Sequence, residues 1–173
     1  MSIRRRLPWL YLNTLTAFFA SWVISQFESV IAQVAVLAVF LSVVAGLGGN
    51  SATQSLAIIV RAIALGELEI HEAWRTILKE ATVGLLQGIS VGVVAGFGVY
   101  LWKGNAVMGV ILGLALAGNI LVAGIIGSLV PVILKALRLD PALASSVLVT
   151  AVTDSTGFAL FLTLALIFLP HLR

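Results

Sequence analysis

The sequence predicts an all-α integral membrane protein whose chain crosses the bilayer five times. Three observations carry that prediction. Of 173 residues, 61% are hydrophobic and only 10% charged, where a soluble domain carries about 25% charged residues. The mean hydropathy is +1.16. The few charged residues fall in clusters that cut the chain into five apolar blocks, each meeting the requirement of about 20 apolar residues for one helical crossing.

Taken in order, the first span is expected over about 7–27, since Leu7–Phe27 carries no charge. It follows a basic start, MSIRRR, with no small-residue cleavage site soon after, so a retained span is expected rather than a cleaved leader. The second, over 29–60, and the fourth, over 104–134, are each too short for two crossings and fit one long, tilted or interrupted helix. The third is expected over 81–102 and the fifth over 141–169, where Asp154 is the one charge. Between the second and third, GELEIHEAWRTILKE sets Ile70, Trp74, Ile77 and Leu78 at helical spacing against Glu67, Glu69, Glu72, Arg75 and Lys79. That pattern predicts an amphipathic helix over 66–80 lying on the cytoplasmic interface.

Orientation follows from Lys and Arg. With the N-terminus inside, Arg4, Arg5, Arg6, Arg61, Arg75, Lys79, Lys135 and Arg138 lie on the inner side, and Lys103 and Arg173 on the outer. The positive-inside bias therefore predicts N-in, C-out. Trp9, Trp22, Trp74, Tyr100 and Trp102 fall near block ends, where interfacial aromatic residues belong. A pI near 9.8 is explained by this topology, since the basic residues form no single patch for nucleic acid. The chain has no cysteine, which excludes disulfides and thiolate metal sites. His71 and His171 are isolated and are assigned no ligand role. Acid pairs, a Ser/His pairing and an HExxH motif are all missing, which speaks against an intramembrane enzyme.

The chemistry concentrates in SVLVTAVTDSTG, Ser146–Gly157. A lone carboxylate inside a span is unfavourable by roughly 2.5–3.5 kcal/mol at the helix centre, and such residues face a bundle interior or an aqueous path. Ser146, Thr150 and Asp154 recur at i, i+4 and i+8, with Thr153 and Gly157 flanking and Ala151 counted with them, while Leu148, Val149 and Val152 point elsewhere. This stripe is read as lining a cation path. A second polar stretch, AGLGGNSATQS, places Gly46, Gly48, Gly49, Asn50, Thr53 and Gln54 in the second span. The glycines allow a break whose freed carbonyls meet water or an ion; close packing with interhelical hydrogen bonds through Asn50 and Gln54 is the other reading. In the third span Gly84, Gly88, Gly92 and Gly96 repeat at i+4, and the fourth adds Gly109, Gly113, Ala117 and Asn119. Small residues at this spacing predict close helix packing, within the chain or between chains. Asn119 is read as interhelical glue.

The succession of PW, FES, AGLGGNSATQS, VRAIALGE, W…LKE, VGLLQG, DPALASS and VTDSTGF, from Pro8 to about Leu169, resembles the membrane domain of the MgtE family of magnesium channels and transporters. The resemblance implies a homodimer in the cell (inner) membrane, with five spans per subunit and a pore along the two-fold axis lined by spans two and five. It implies that Asp154 and its dimer mate hold a largely hydrated Mg²⁺. Mg²⁺ dehydrates reluctantly and takes only one or two carboxylates, which suits one acid per subunit. Mn²⁺, Co²⁺ or Ca²⁺ remain open as transported ions. Typical members carry a cytoplasmic N-terminal region with CBS domains; this chain reaches its first span within about eight residues, so no such regulatory domain is expected in it. Ser146 stands where the family commonly has Asn. Three functions are thereby posed: a voltage-driven Mg²⁺ channel, a Na⁺- or H⁺-coupled exchanger, and a membrane scaffold in which Asp154 only hydrogen-bonds across helices. An exchanger needs a second titratable group, and Glu28 and Glu80 fall at span ends.

Overall fold

The computed structural model describes residues 3–68, 73–139 and 141–172. Six α-helices follow one another: α1 (Ile3–Ser25), α2 (Glu28–Gln33), α3 (Leu37–Ala64), α4 (Ala73–Lys103), α5 (Ala106–Ala136) and α6 (Pro141–Ile167), with a 3₁₀ turn at Leu169–His171. Five of them, all but α2, are long and apolar enough to cross a membrane. At about 1.5 Å per residue, α3, α4 and α5 exceed a hydrocarbon core of about 30 Å, so each crosses with a tilt or protrudes.

The expected second span, 29–60, is divided. Its first part is the short α2, ended by Val34 at φ −135° and ψ 76°. The chain turns through Val34–Val36, and α3 then runs unbroken from Leu37. The helix is therefore continuous through Gly46, Gly48 and Gly49, where the glycines suggested a break. Each glycine carries its own N–H and C=O, so flanking apolar residues that pack on neighbours are enough to hold the ladder. The expected interfacial helix over 66–80 also differs. Residues 66–68 leave α3 as a loop, residues 69–72, including His71, lie outside the described residues, and from Ala73 the chain is already the first turn of α4. Glu80, expected at a span end, lies two turns into that helix and is 7% exposed.

The helix ends follow local rules. After α3, Gly66 takes a φ of +72°, its N–H donating to Ile63 O (3.2 Å) while Glu67 N–H reaches Ala62 O (3.0 Å). This is the Schellman closure, which needs a left-handed residue. The same closure ends α5, with Leu139 N–H on Leu134 O (2.9 Å), but there Arg138 adopts the positive φ, 59°. Lys135, in the last turn of α5, donates from Nζ to Leu68 O (2.8 Å), tying that end to the loop after α3. Between α4 and α5 the chain reverses in two residues. Gly104 takes φ +68°, and the Asn105 side chain caps α5 by accepting from Met108 N–H (3.0 Å).

The tightest packing joins α4 to α5 along the glycines. Gly96 lies opposite Gly109, Gly92 opposite Gly113, Gly88 opposite Ala117 and Gly84 opposite Leu121, so the two antiparallel helices meet backbone to backbone. A Cβ at Gly88 would sit 2.7 Å from Ala117 O, and one at Gly84 2.9 Å from Ile120 O. Without a hydrophobic force between helices in lipid, this closeness supplies the dispersion contact that joins them. The glycine repeat thus packs within the chain. Helix α5 is the centre of the bundle: α3, α4 and α6 all lean on it, and α1 packs on α6. The main core gathers Leu37, Phe40, Val44, Ile111, Leu116 and Phe161. Helix α1 leaves Leu10, Tyr11, Leu15, Phe18, Phe19 and Trp22 exposed, as a lipid-facing span does. Its hydroxyls are satisfied internally: Thr14 donates to Leu10 O (2.9 Å) and Ser21 to Ala17 O (2.9 Å).

Candidate functional site: the Asp154 face and the Asn119 clamp

On α6, Ser146 and Thr150 are exposed, and Asp154 and Ala151 half-buried, on one face along the helix. Thr153 leaves this stripe. It is fully buried, and its hydroxyl donates back to Val149 O (3.1 Å) and Thr150 O (3.2 Å). Gly157 is buried as well, against Asn119 and Val44. Both were expected beside the stripe because 100° per residue places them near its edge, and the packing of α6 on α3 and α5 claims that edge. Asp154 has no ion-pair partner among the described residues, and no three His, Cys, Asp or Glu side chains gather there to hold a metal. What this chain alone presents is one carboxylate flanked by hydroxyls. Such a set suits a cation that keeps its water shell and is held through hydrogen bonds to that water.

The residues of AGLGGNSATQS divide three ways around α3. Gly46 and Gly49 have open space where a Cβ would be, and Thr53, on their side, is exposed and donates back to Gly49 O (2.8 Å). Gly48 points inward at the Asn119 amide. Asn50 and Gln54 turn toward α4 and line a cleft with Ser51, Leu86, Gln87, Ser90, Val91 and Ile120. One contiguous polar stretch in the sequence therefore serves three surroundings.

Asn119 joins α3 and α6 at the level of Asp154. It is 0% exposed. Its Nδ2 donates to Val44 O across 3.1 Å, and its Oδ1 takes the long arm, 3.4 Å, of a shared bond from Thr156 Oγ1, whose shorter arm goes to Val152 O at 2.7 Å. Gly48 on α3 and Gly157 on α6 make room for it: a Cβ on Gly157 would lie 2.5 Å from Asn119 Nδ2 and 2.8 Å from Val44 Cγ1. Thr156 and Gly157 follow Asp154 within one turn, so this clamp sets where the carboxylate stands relative to α3. Its partners, Val44, Gly48, Thr156 and Gly157, lie far from Asn119 in the chain, and no periodicity in the sequence relates them. Gln87 and Ser90, which line the cleft with Asn50 and Gln54, were not singled out from the sequence; polar side chains at i and i+3 in an otherwise apolar span were the available signal.

Comparison with known proteins converges on one family. The family model MgtE, described as a divalent cation transporter, matches residues 41–164. Three relatives are each named magnesium transporter MgtE. The Enterococcus faecalis protein is 34% identical over 96% of this chain and 37% of its own length. That of Thermus thermophilus is 36% identical over 92% of this chain and 35% of its own, and that of Bacillus subtilis 32% over 97% and 37%. The chain thus spans about a third of the length of these relatives.

Proposed function

The chain belongs to the MgtE family of divalent cation transporters, and on that premise we propose that it carries Mg²⁺ across a membrane, with Asp154 as the group that holds the ion. The observation behind this reading is the exposed face of α6 on which Ser146 and Thr150 lead to a carboxylate with no partner of its own among the described residues. In lipid such a face is unfavourable by several kcal/mol unless water or protein covers it. Two copies placed face to face about a two-fold axis cover it and bring a second carboxylate to the same ion. The exposed side of α3 carrying Gly46, Gly49 and Thr53 supplies small residues and backbone to the same path.

The chemistry is selection through the water shell. A Mg²⁺ that retains its waters offers donors to two carboxylates and to the Thr150 and Ser146 hydroxyls. The ion is then bound firmly enough to enter and loosely enough to leave. Moving two charges through 100 mV releases about 4.6 kcal/mol, twice the single-charge figure, so the membrane potential suffices as the driving force. With the Lys and Arg distribution, the path runs in an N-in, C-out subunit of the cell membrane.

The test is Mg²⁺ uptake into proteoliposomes under a potassium diffusion potential, with the wild type beside Asp154→Asn. Wild-type uptake that follows voltage and falls at least about tenfold in the variant, a barrier change of about 1.4 kcal/mol, supports the proposal. Uptake unchanged by Asp154→Asn overturns the assignment of the ion site. Uptake that ignores voltage and follows a Na⁺ or pH gradient replaces the channel with an exchanger.

A further inference from the structure

The geometry points to a second polar site, the cleft of about 570 Å³ between α3 and α4: we infer that it is filled with water and receives a hydrated cation, apart from the Asp154 face. Its hydrogen-bonding wall is Asn50, Ser51 and Gln54 from α3, with Gln87 and Ser90 from α4, over a floor at Ile120 of α5. Asn50, Gln87 and Ile120 each lie near the middle of their helix, which puts the cleft at the depth where lipid offers no hydrogen bonds.

Several intramembrane hydroxyls outside the cleft fold onto a carbonyl of the preceding turn, as Ser42, Thr53, Thr82, Ser128 and Thr156 do, while Ser155 Oγ on α6 is buried with no partner among the described residues. None of the five cleft side chains has a hydrogen-bond partner among the described residues. Of the five, Ser51 is the most enclosed, only 9% exposed and among the residues that line the cleft. Groups left open in this way at mid-bilayer are tolerated when they line an aqueous cavity. The volume is many times the roughly 30 Å³ that one water occupies, so an ion with its shell fits.

Two features favour a cation over other solutes. The amide and hydroxyl oxygens accept from the protons of a cation's water shell, and the N–H and O–H donors beside them carry no formal charge to repel it. Glu80 lies two turns before Gln87 on the same face of α4, 7% exposed and without an ion-pair partner among the described residues, and no Lys or Arg lines the cleft. The cleft adjoins the Asp154 path but faces away from it: Asn50 lies about 40° around α3 from Gly46, and Gln54 about 140° from Gly49, at 100° per residue. The inference takes only the identity of the ion from the proposed transport.

The absence of cysteine from the chain makes single-cysteine accessibility a clean test. Gln87→Cys and Ser90→Cys are reacted in proteoliposomes with membrane-impermeant methanethiosulfonates, one cationic and one anionic, each rate being normalised to free thiol. Val93→Cys, on the apolar outer groove of α4 and α5, is the lipid-facing control. Both cleft variants are expected to react, the cationic reagent at least about tenfold faster, with millimolar Mg²⁺ slowing it and Val93→Cys remaining unmodified. Unreactive cleft cysteines in folded protein show the cleft covered by lipid or another helix and overturn the inference. Equal rates for the two reagents, unaffected by Mg²⁺, also overturn it by leaving water without a cation site. If Gln87→Cys does not fold, Ser90→Cys decides alone, its thiol being close in shape to the hydroxyl. Labelling repeated in Asp154→Asn is expected to be unchanged, so failure here and failure of the Asp154 reading are read separately.

Discussion

Asn119 is the residue on which the geometry of the candidate path depends. A fully buried carboxamide is unfavourable in a bundle interior unless both its ends are used, and here one end reaches α3 at Val44 and the other α6 at Thr156. Interhelical hydrogen bonds in membranes contribute about 0.6 kcal/mol on average and up to about 1.7, so Asn119→Ala is expected to lower stability by roughly 1–2 kcal/mol. Gly157→Ala forces a methyl group against the Asn119 amide and Val44, and overpacking of that kind costs about 1–3 kcal/mol. The two changes are not independent. In the Asn119→Ala background the space beside residue 157 opens, and Gly157→Ala should then cost less than half as much. Thermal unfolding in detergent of the two single variants and the double variant measures the coupling, and additive losses would contradict the packing described.

Among the elements, the α4–α5 seam is where small size is indispensable. A Cβ at Gly92 or Gly96 would meet the backbone of the opposing helix, which has no side-chain torsion with which to yield. Gly98 on the same helix has nothing within 4 Å of such an atom. Gly92→Ala is therefore expected to destabilise by about 2 kcal/mol or more, whereas Gly98→Ala should be neutral or gain up to about 1 kcal/mol of helix propensity. At the tight reversal before α5, Asn105→Ala removes the cap on Met108 N–H and should cost about 1 kcal/mol. A denaturant series on the three variants checks the ordering, and equal losses at Gly92 and Gly98 would mean that the seam is not the joint.

For the whole molecule, the proposal places the α6 face at a two-fold axis, where each residue meets its own counterpart. In this cysteine-free chain, Thr150→Cys should give a dimer on gels after treatment with a short bifunctional thiol reagent in membranes. Val93→Cys, on the far side of the bundle, should not. Monomers alone from Thr150→Cys would remove the two-fold arrangement. The polar inventory of the α6 face is largely legible in the sequence. Asp154, Thr150 and Ser146 stand out because a carboxylate and hydroxyls are conspicuous in an apolar run. The assignment of neighbours was not visible. Gly48 and Gly157, read from the sequence as parts of an ion path, both lie against the buried Asn119 amide. Gln87 and Ser90, not singled out from the sequence, line a cleft with Asn50 and Gln54.

Composition and charge spacing were enough to predict five helices long and apolar enough to cross a membrane and to single out Asp154 as the isolated acid. These are one-dimensional properties: a bilayer demands a continuous apolar length with every backbone group satisfied inside the segment, and a charge in that length is evident from the sequence alone. Contacts between helices, in contrast, place the turn of the second apolar block at Val34–Val36 and not at its glycines, close the glycine repeat on α5 of the same chain, and set AGLGGNSATQS facing three ways at once. Each of those depends on which face of one helix meets which face of another. That choice is made by contacts between residues distant in the chain, where close-packed volume and the partner of each buried polar group override local propensity.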